Sequence, residues 1–465
     1  MTTKEFLKKI SGYNGIALID TNTEIDYASL VLSIFELSDK LIKIGLSDDD
    51  VVCFVAEKDI NSIIIFLALM SSGIACCPIK AWETDLPPHT VLIIKMDENS
   101  NESNFNFRNV WYRMIKKDGT TSELRERFRG RYLNATSGST GTKKYAIASW
   151  QNIYANAKNV CEEYRHDATL TYMSLFSANM HICETFMRAL FCGGTAVLVE
   201  NTEAEAVAKL IEKHKVNHIE CIPSQLLAIK ESLYKIDKPE QLIIECAGGL
   251  LSIKAEKTIQ DLFPHAKIVR SWGSAEGSGI CLTTFNSTVN EHDSLGKVVN
   301  GYEAIIDSSG QMLLKGDGVV DALFNNGQLV EFIDYYCTGD LVSSDYEGNF
   351  HILGRLSNMI KCAGESIYPA LIEDVLYKQG DVEECVVIGI PDDLRGEIVV
   401  AWITISPEKP LPAEIELKFF CQRYLVKNQL IPKIMHITYE MIPKNDSGKI
   451  NITKVKEFFI GENHV

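Results

Sequence analysis

The residues best suited to hold an anion lie together in the segment NATSGSTGTKKYA, which spans residues 134–146. This segment contains five serine and threonine hydroxyls, two glycines and two adjacent lysines. Backbone N–H groups of a glycine-rich turn can converge on a phosphate, and the hydroxyls add further donors. The ATPase pattern G-x-x-x-x-G-K-[ST] is absent. Composition alone therefore leaves two interpretations open, a phosphate cradle or a flexible loop.

Two later segments place a carboxylate next to glycine after a strand-like run. SWGSAEGSG (271–279) puts Glu276 in a glycine-rich turn, where it could bind Mg²⁺ beside a triphosphate. YCTGDL (336–341) puts Asp340 after Thr338 and Gly339, where its carboxylate could accept from the two hydroxyls of a ribose. Taken alone, a loop glutamate is more often simply solvated, and the second pattern is also that of an Asx turn.

Two segments nearer the C-terminus contribute cations. GRLSNMIKCAGESIYP (354–369) contains Arg355, Lys361 and Gly364, and PKNDSGKIN (443–451) places Lys449 beside a glycine turn. Most lysines in such turns are only solvated, so neither segment indicates chemistry by itself.

In this order and spacing, the five segments resemble the motifs of the adenylate-forming superfamily. That family includes acyl-CoA synthetases, luciferases and the adenylation domains of nonribosomal peptide synthetases. Its phosphate loop reads roughly [ST]-S-G-[ST]-T-G-x-P-K-G; Thr136 to Gly141 match this pattern, and Lys144 matches its lysine. The resemblance runs from about residue 20 to the end of the chain.

The resemblance implies a two-step, ATP-dependent reaction and an AMP-forming acid–thiol ligase. A carboxylate attacks the α-phosphorus of ATP to give an acyl-adenylate and pyrophosphate. A thiol then attacks the acyl carbon and releases AMP. The first step brings two anions together, so catalysis should consist mainly of charge neutralisation and orientation.

The resemblance also assigns nucleotide-binding residues. Glu276 would bind Mg²⁺, and Asp340, assisted by Arg355, would hold the ribose hydroxyls. The remaining residues fall into two groups: those of the phosphate loop, Thr136, Ser137, Gly138, Ser139, Thr140, Gly141 and Lys144, and those around the adenine, Gly248, Gly249, Ser271, Trp272 and Gly273.

Lys449 would bridge the substrate carboxylate and the α-phosphate during adenylation. Because Lys449 belongs to the small C-terminal domain, that domain would have to close over the large one and then rotate for the second step. The rotation would bring the segment from Lys361 to Gly364 beside the thiol.

The acid pocket is expected at SLFSANMHICETF (174–186), at the loop after Gly249 and just after Gly273, where Ser274 lies. Amino-acid-activating relatives place an aspartate near the start of the first stretch; the best register puts Asn179 there instead. We therefore expect an aromatic or otherwise uncharged carboxylic acid rather than an α-amino acid. His181 would gate the pocket, or else be an ordinary packed or solvated histidine.

Several positions depart from the family pattern. Lys143 and Tyr145 replace the proline and final glycine of the phosphate loop, Ala275 replaces a threonine, and Leu371 replaces a glutamate. These changes leave a second interpretation open, a catalytically degenerate relative that binds a nucleotide or acyl ligand as a sensor or scaffold. A third is a luciferase-like or amide-forming enzyme that shares only the first half-reaction.

The thiol acceptor is either coenzyme A or the phosphopantetheine of a carrier protein. We find no carrier domain, since only sixteen residues follow Lys449. We therefore expect the acceptor to be a separate molecule.

The elements that must position these residues follow an α/β pattern. Strand-like runs at 195–200, 218–222, 242–247 and 266–272 alternate with helical stretches, and three of them end in small residues or glycine. Open α/β sheets bind ligands at such strand ends. We predict a large N-terminal multi-sheet α/β domain over residues 1–355 and a smaller, mobile C-terminal α+β domain over 356–465. The polar stretch from Asp97 to Phe107 is predicted to be an exposed loop.

Charge and cysteine usage exclude several classes. The net charge of −16 argues against a nucleic-acid partner or a polybasic membrane anchor. The thirteen scattered cysteines suit a reducing cytoplasm. The apolar stretch SIIIFLALMSSGIACCPI is interrupted by serines, Gly73 and Pro78, so we predict a buried helix followed by a strand rather than a membrane span.

Overall fold

The computed structural model describes residues 1–80, 86–87, 90–96, 105–108, 110–116, 126–136, 144–199, 204–249, 251–287, 294–325, 327–425, 430–444 and 450–462. The strands are β1 Ile16–Ile19, β2 Glu24–Asp26, β3 Val51–Val55, β4 Ala75–Ile79, β5 Thr90–Met96, β6 Phe105–Phe107, β7 Val110–Lys116, β8 Tyr132–Thr136, β9 Lys144–Ala148, β10 Thr171–Ser174, β11 Thr195–Val197, β12 His218–Cys221, β13 Ile243–Cys246, β14 Lys267–Ser274, β15 Gly279–Thr283, β16 Ser294–Val298, β17 Tyr302–Ile306, β18 Gln311–Gly316, β19 Ala322–Asn325, β20 Gln328–Glu331, β21 Tyr336–Ser344, β22 Phe350–Arg355, β23 Ile360–Cys362, β24 Glu365–Ile367, β25 Val382–Asp392, β26 Gly396–Ile405 and β27 Ile434–Thr438.

The α-helices are α1 Thr3–Ile10, α2 Tyr27–Lys43, α3 Ile60–Ser71, α4 Trp150–Tyr164, α5 Ala178–Cys192, α6 Ala204–Lys213, α7 Pro223–Ala228, α8 Lys230–Leu233, α9 Ile253–Leu262, α10 Pro369–Tyr377, α11 Glu414–Gln422 and α12 Ile452–Glu462. The four strand-like runs predicted from the sequence correspond to β11, β12, β13 and β14, so those predictions are confirmed.

The described strands form three sheets. The first has thirteen strands in the order β17-β18-β21-β22-β16-β15-β14-β13-β12-β10-β11-β1-β2. Its block from β1 to β14 is parallel, and from β14 onward the pairing becomes antiparallel. Strand β14 belongs to both blocks. Its carboxyl end therefore meets both the ends of the parallel strands and the antiparallel ribbon.

The second sheet has nine strands in the order β20-β19-β9-β8-β4-β3-β5-β7-β6. Helices α3 and α5 pack between it and the first sheet, in one cluster that includes Phe54 of β3, Phe66 of α3 and Tyr172 of β10. The predicted loop over 97–107 is wrong at its end: Phe105–Phe107 pair with β7, and Phe107 is buried. Residues 97–104 lie outside the described part.

Helix α3 and strand β4 account for the longest apolar stretch of the sequence. Asp59 caps the helix by accepting from the N–H of Ser62 at 2.7 Å, and all but one of its residues are buried. The prediction of a buried helix followed by a strand is confirmed. Among the described residues, every helix is too short or too polar to traverse a lipid bilayer.

The third sheet lies wholly beyond residue 355. It contains β24, β23, β26 and β25 in that order, with β27 added parallel to β26. Helices α10 and α11 cover one face through Ile372 and Leu417, and α12 covers the other through Phe459. The predicted α/β class, with a large multi-sheet N-terminal part and a smaller C-terminal part, is confirmed. The boundary at residue 355 stays a prediction.

A buried ion cluster fixes α5 against the first sheet. The guanidinium of Arg188, on α5, lies 3.1 Å from Glu220 Oε1 of β12 and also bonds the carboxylate of Glu245 on β13. Tyr164 donates to Glu245 at 2.6 Å, and Tyr172 donates to Glu220. Both carboxylates are fully buried, so each depends on these partners in place of water.

The pKa values of the two carboxyl groups shift in opposite directions because the groups share one arginine. Burial raises the pKa of Glu220 to about 7, since the Arg188 charge compensates only part of the lost hydration. Burial acts on Glu245 as well, but Arg188 and the hydrogen bond with His218 hold its pKa below the ordinary value. The site therefore favours one proton on Glu220 and a negative charge on Glu245.

We expect Glu220→Gln to change how stability depends on pH. The folded-state pKa of Glu220 is raised from 4.5 to about 7, so its contribution to stability is complete below pH 4.5 and is lost as pH rises through 7. Glutamine imitates the protonated acid and removes this loss. The difference in unfolding free energy between variant and wild type should grow by on the order of 3 kcal/mol between pH 5 and 8. Urea unfolding across that range measures it.

The exposed Glu205 provides the control, because its side chain is 74% exposed. Glu205→Gln should follow the wild-type profile at every pH. Parallel profiles for Glu220→Gln and the wild type would contradict the assignment.

Candidate active site

A carboxylate, an indole and a guanidinium meet in the antiparallel part of the first sheet. Trp272 Nε1 donates to Asp340 Oδ2 at 3.0 Å, and Arg355 Nε lies 2.6 Å from Asp340 Oδ1. The Asp340 side chain is only 4% exposed, whereas that of Arg355 is 55% exposed. Three residues that the sequence places far apart, in three of the candidate segments, thus form one cluster. We call it the Asp340 cluster.

Strand pairing fixes the position of Asp340. Asp340 on β21 lies directly opposite Arg355 on β22. The Asp340 N–H donates to Thr338 Oγ1 at 3.1 Å, and that hydroxyl donates to a backbone carbonyl of β18. Gly339 has a φ of +75° and donates its N–H to Gln311 at 3.0 Å. The left-handed conformation explains why glycine precedes Asp340.

The Asp340 cluster is suited to a polar ligand with hydroxyl donors. A carboxylate has about four acceptor positions, and that of Asp340 is held by Trp272 and Arg355 in a fixed orientation suited to accept from hydroxyls. The half-buried indole of Trp272 offers an adjacent flat surface. A ribose with its attached base has this combination of paired hydroxyls and a planar ring.

The turn that follows β14 is held tightly from outside. A Cβ on Gly273 would lie 2.3 Å from the carbonyl oxygen of Gly279, so only glycine fits there. Tyr302 donates its hydroxyl to the carbonyl of Gly277 at 2.7 Å and accepts from Asn156 at 2.8 Å. The turn is therefore a rigid support for the residue it presents, Glu276.

Glu276 lies beside the Asp340 cluster. Its carbonyl accepts from the Val320 N–H at 2.8 Å, and its carboxylate is next to the hydroxyl of Tyr336, which precedes Asp340 on β21. Burial, together with this carboxylate, raises the pKa of Tyr336 above its ordinary value. The tyrosine therefore remains a neutral hydrogen-bond donor for Glu276.

The donor set around Glu276 fits magnesium held mainly by a substrate. Among the described residues, no group of three or more His, Cys, Asp or Glu side chains could hold a metal ion. Mg²⁺ commonly binds one or two carboxylates, keeps several waters and takes its other ligands from phosphates. A single half-buried carboxylate is consistent with that pattern.

Two glycines follow β13 at the carboxyl edge of the parallel strands. Gly248 has a φ of +73°, and both Gly248 and Gly249 are exposed. Ser271, on the neighbouring strand, is different: its hydroxyl is buried between Tyr164 at 3.0 Å and Thr283 at 3.1 Å. Any contact of Ser271 with an adenine would therefore have to come from its backbone.

The predicted phosphate loop begins and ends within the second sheet. Thr136 ends β8 and Lys144 begins β9, and the two residues lie opposite each other in the antiparallel pair. The other predicted members of this loop lie outside the described residues: Ser137, Gly138, Ser139, Thr140 and Gly141. The catalytic role of Lys144 therefore stays a prediction.

The predicted acid-pocket residues lie around the first turn of α5. Asn179 is half-buried on that turn, and His181 has a non-helical backbone, with φ −136° and ψ 36°. The His181 ring lies 4.9 Å from the ring of Phe176. Phe176 in turn packs in one cluster with Ile222, and a Cβ on Gly249 would lie 3.2 Å from that isoleucine.

This chain of contacts links two predicted members of the acid pocket, His181 and Gly249, and Asn179 lies on the same helical turn as His181. Ser274 lies at the end of β14 and accepts the N–H of Gly277 at 3.1 Å. It borders the turn that carries Glu276.

Of the two predicted lysines of the C-terminal part, the structure describes Lys361 but not Lys449. Lys361 is exposed on β23 and donates through Nζ to Ser366 at 2.7 Å, on the adjacent strand β24. The described contacts therefore do not bring Lys361 to the Asp340 cluster. Lys449 lies outside the described residues; the bridge between Lys444 and Ile450 brackets its segment.

Comparison with family models identifies the class of protein. Residues 79–324 match the model described as AMP-binding enzyme, and residues 371–449 match its C-terminal domain, described as AMP-binding enzyme C-terminal domain. The chain belongs to the AMP-binding, adenylate-forming enzymes. The predicted family membership is thereby confirmed.

Individual relatives of this adenylate-forming enzyme span nearly its whole length. The 2-succinylbenzoate–CoA ligase of Listeria monocytogenes is 27% identical and aligns with 95% of this chain and 96% of its own. The ATP-bound MatB of Rhodopseudomonas palustris has a TM-score of 0.82 at 16% identity, over 99% of each chain. The O-succinylbenzoate coenzyme A synthetase of Bacillus subtilis, solved with ATP and magnesium, has a TM-score of 0.75 at 20% identity, over 96% of this chain and 98% of that chain.

The departures from the family motifs have structural explanations. Tyr145 is buried in the second sheet, with its ring centroid 6.5 Å from that of Phe324. Ala275 packs against the main core, and Leu371 is exposed on α10. At these three positions the replacements serve packing or face solvent. Lys143 lies outside the described residues.

The sequence analysis missed the residues that contact and position the predicted site residues. Tyr336 beside Glu276, and Gln311 beneath Gly339, carry no motif of their own. Tyr164 joins Ser271 to the buried Glu245, although it lies on α4, far away in sequence. Strand pairing and the packing of α4 against the first sheet bring these neighbours together.

We expect Asp340→Asn to weaken AMP binding by roughly 10- to 100-fold, because each charge-assisted hydrogen bond contributes about 1.5–3 kcal/mol. Isothermal titration calorimetry with AMP measures the loss, and thermal unfolding checks that the variant folds. The control is Asp334→Asn: this carboxylate is 61% exposed and pairs with Lys315. Equal AMP affinity for Asp340→Asn and the wild type would contradict the ribose assignment.

Proposed function

We propose that this protein activates a carboxylic acid with ATP and transfers the acyl group to the thiol of coenzyme A. The observation that carries the proposal is the convergence of Trp272, Asp340 and Arg355 beside Glu276 in a member of the adenylate-forming family. These groups match what a nucleotide needs, namely a ring surface, a ribose acceptor and a carboxylate near the phosphates.

The chemistry explains the need for adenylation. A free carboxylate is a poor electrophile because its leaving group would be oxide, whereas AMP is a much better leaving group. The acid oxygen attacks the α-phosphorus, the bond from that phosphorus to the bridging oxygen breaks, and pyrophosphate departs. Asp340 orients the ribose, and Glu276 is placed to hold Mg²⁺. When bound, Mg²⁺ neutralises part of the triphosphate charge.

The second step forms a thioester from the acyl-adenylate. The coenzyme A thiol attacks the acyl carbon, AMP leaves, and the thiol proton goes to solvent or a nearby base. Under this proposal, residues 356–465 move relative to residues 1–355 between the steps, presenting Lys449 first and the Lys361–Gly364 segment second.

The acid is proposed to be aromatic or otherwise uncharged, and not an α-amino acid. Asn179 occupies the first turn of α5 without a carboxylate before Glu184. Relatives named 2-succinylbenzoate–CoA ligase and 4-coumarate–CoA ligase support an aromatic acid and coenzyme A as acceptor. A carrier protein remains the alternative acceptor. All thirteen cysteines are free thiols, which supports a cytoplasmic setting.

The degenerate, ligand-sensing interpretation has less support from the site. Its sequence basis was the altered phosphate loop together with Ala275 and Leu371. Tyr145 is buried, Ala275 packs against the main core and Leu371 is exposed, so each replacement occupies a core or surface position. The groups that the chemistry requires, Glu276 and Asp340, are retained.

Acid-dependent exchange of labelled pyrophosphate into ATP tests the proposal. We expect at least one acid from a broad aromatic panel to support exchange, and added coenzyme A to yield acyl-CoA and AMP, detected by mass spectrometry. If no acid supports exchange, the sensor interpretation takes its place.

We expect Lys449→Ala to abolish pyrophosphate exchange and to spare thioester formation from a preformed acyl-adenylate, because its charge is needed only where two anions meet. Lys361→Ala should show the reverse pattern. Lys454, exposed on α12, provides the matched control, and Lys454→Ala should leave both half-reactions unchanged. Equal loss of both half-reactions in Lys449→Ala would contradict the two-conformation scheme.

A further inference from the structure

Helix α5 carries a buried carboxylate that the nucleotide chemistry does not use. The Glu184 side chain is 10% exposed, and its Oε1 lies 3.5 Å from His181 Nδ1. Its Oε2 is buried and has no hydrogen-bond partner in the described part of the chain. A buried acceptor without a partner costs about 1–3 kcal/mol, more when it is charged. Such a group is retained most readily where a ligand completes it.

The geometry of α5 places Glu184 beside the predicted acid pocket. Helix α5 connects two adjacent parallel strands, β10 and β11, so it runs antiparallel to them. Arg188, four residues later, bonds Glu220. One turn back along the helix is about 6 Å, and two residues forward along the strand is also about 6.6 Å. Glu184 therefore lies at the level of Ile222, the residue that contacts the Gly249 position.

A kink at His181 interrupts α5 beside the predicted pocket. The helical pattern fails at His181, whose side chain is 30% exposed. His181 thus lies at the mouth, with its ring against Phe176, and Glu184 lies one turn deeper. A ligand entering between α5 and Gly249 would meet Asn179 and His181 first and Glu184 at its inner end.

We infer that Glu184 is a specificity-determining residue that accepts a hydrogen bond from a hydroxyl or amino group on the tail of the acid. The inference rests on the proposed function, since it names the substrate class for the same site. A fixed acceptor favours substrates with a matching donor and strongly disfavours analogues that lack it. A second carboxylate on the acid would face Glu184 with like charge in a water-poor setting and would be rejected.

The inference separates this chain from enzymes that take dicarboxylic acids. Glu220 lies close enough to Glu184 to interact with it electrostatically, and Arg188 is already paired with Glu220 and Glu245. The positive charge that Arg188 places on this face of α5 is thus already paired. The acceptor without a described partner at this position is Glu184 Oε2, and a donor-bearing tail is its complement.

The test uses acids that share a skeleton and differ only in the distal group. Cinnamate, 4-coumarate and 4-carboxycinnamate form one such trio, and benzoates and phenylacetates form two more. Pyrophosphate exchange gives kcat/KM for each acid. In the wild type we expect the hydroxyl acid to exceed the unsubstituted acid by at least tenfold, and the dicarboxylic acid to be the poorest of its trio.

Two variants separate charge from hydrogen bonding. Glu184→Gln should raise kcat/KM for the dicarboxylic acid at least tenfold while retaining part of the hydroxyl preference. Glu184→Leu should abolish the hydroxyl preference. The KM for ATP should be unchanged in both, and thermal unfolding verifies folding. Glu162→Gln is the control, because this α4 side chain is 56% exposed.

The outcomes distinguish the two levels of proposal. Exchange with unaltered selectivity ratios in both Glu184 variants would overturn the inference and leave the proposed function intact. Absence of exchange with every acid in every trio would overturn the proposed function and the inference with it.

Discussion

One buried arginine connects the two halves of the candidate site. Arg188 comes from the helix that begins the acid pocket, and its partners Glu220 and Glu245 lie on strands whose ends approach the nucleotide side. Removing Arg188 and its two carboxyl partners from water is costly, so the cluster is stable only when all partners are in place. Tyr164 extends it to Ser271, one residue before Trp272. If acid and nucleotide bind as proposed, a single polar core positions both.

The Asp340 cluster is likewise positioned by contacts within the protein. Asp340 is held by an indole and a guanidinium before any ligand arrives, so its acceptor geometry is fixed in advance by β21 and β22. Pre-organisation of this kind lowers the cost of ordering the site on binding. Glu184 differs from Asp340, because its buried Oε2 has no hydrogen-bond partner among the described residues. Under the proposals above, the fixed part of the site would hold what every nucleotide shares, and the incomplete part would distinguish one acid from another.

The sequence predicted the α/β class, four parallel-sheet strands and the residues of the Asp340 cluster, because glycine turns and charged residues leave local signals. It failed at Phe105–Phe107, where a polar stretch ends in a paired strand whose stability comes from its neighbour β7. It also placed Ser271 at the adenine without showing that its hydroxyl lies in the core. The roles of Tyr336, Gln311 and Glu184 could not be predicted from the sequence. They depend on which strands pair and on how far along the sheet each residue of α5 lies.

Arg355 ends β22, and the short turn Leu356–Asn358 follows at once. In any swivel of the C-terminal part about that turn, atoms close to the axis travel least and atoms far from it travel most. Arg355 could thus stay bonded to Asp340 throughout such a movement, while the residues of the C-terminal part farthest from the turn would move most. Under the proposed movement, the pivot would adjoin the Asp340 cluster, so an acyl-adenylate held there would not have to be released between the two steps.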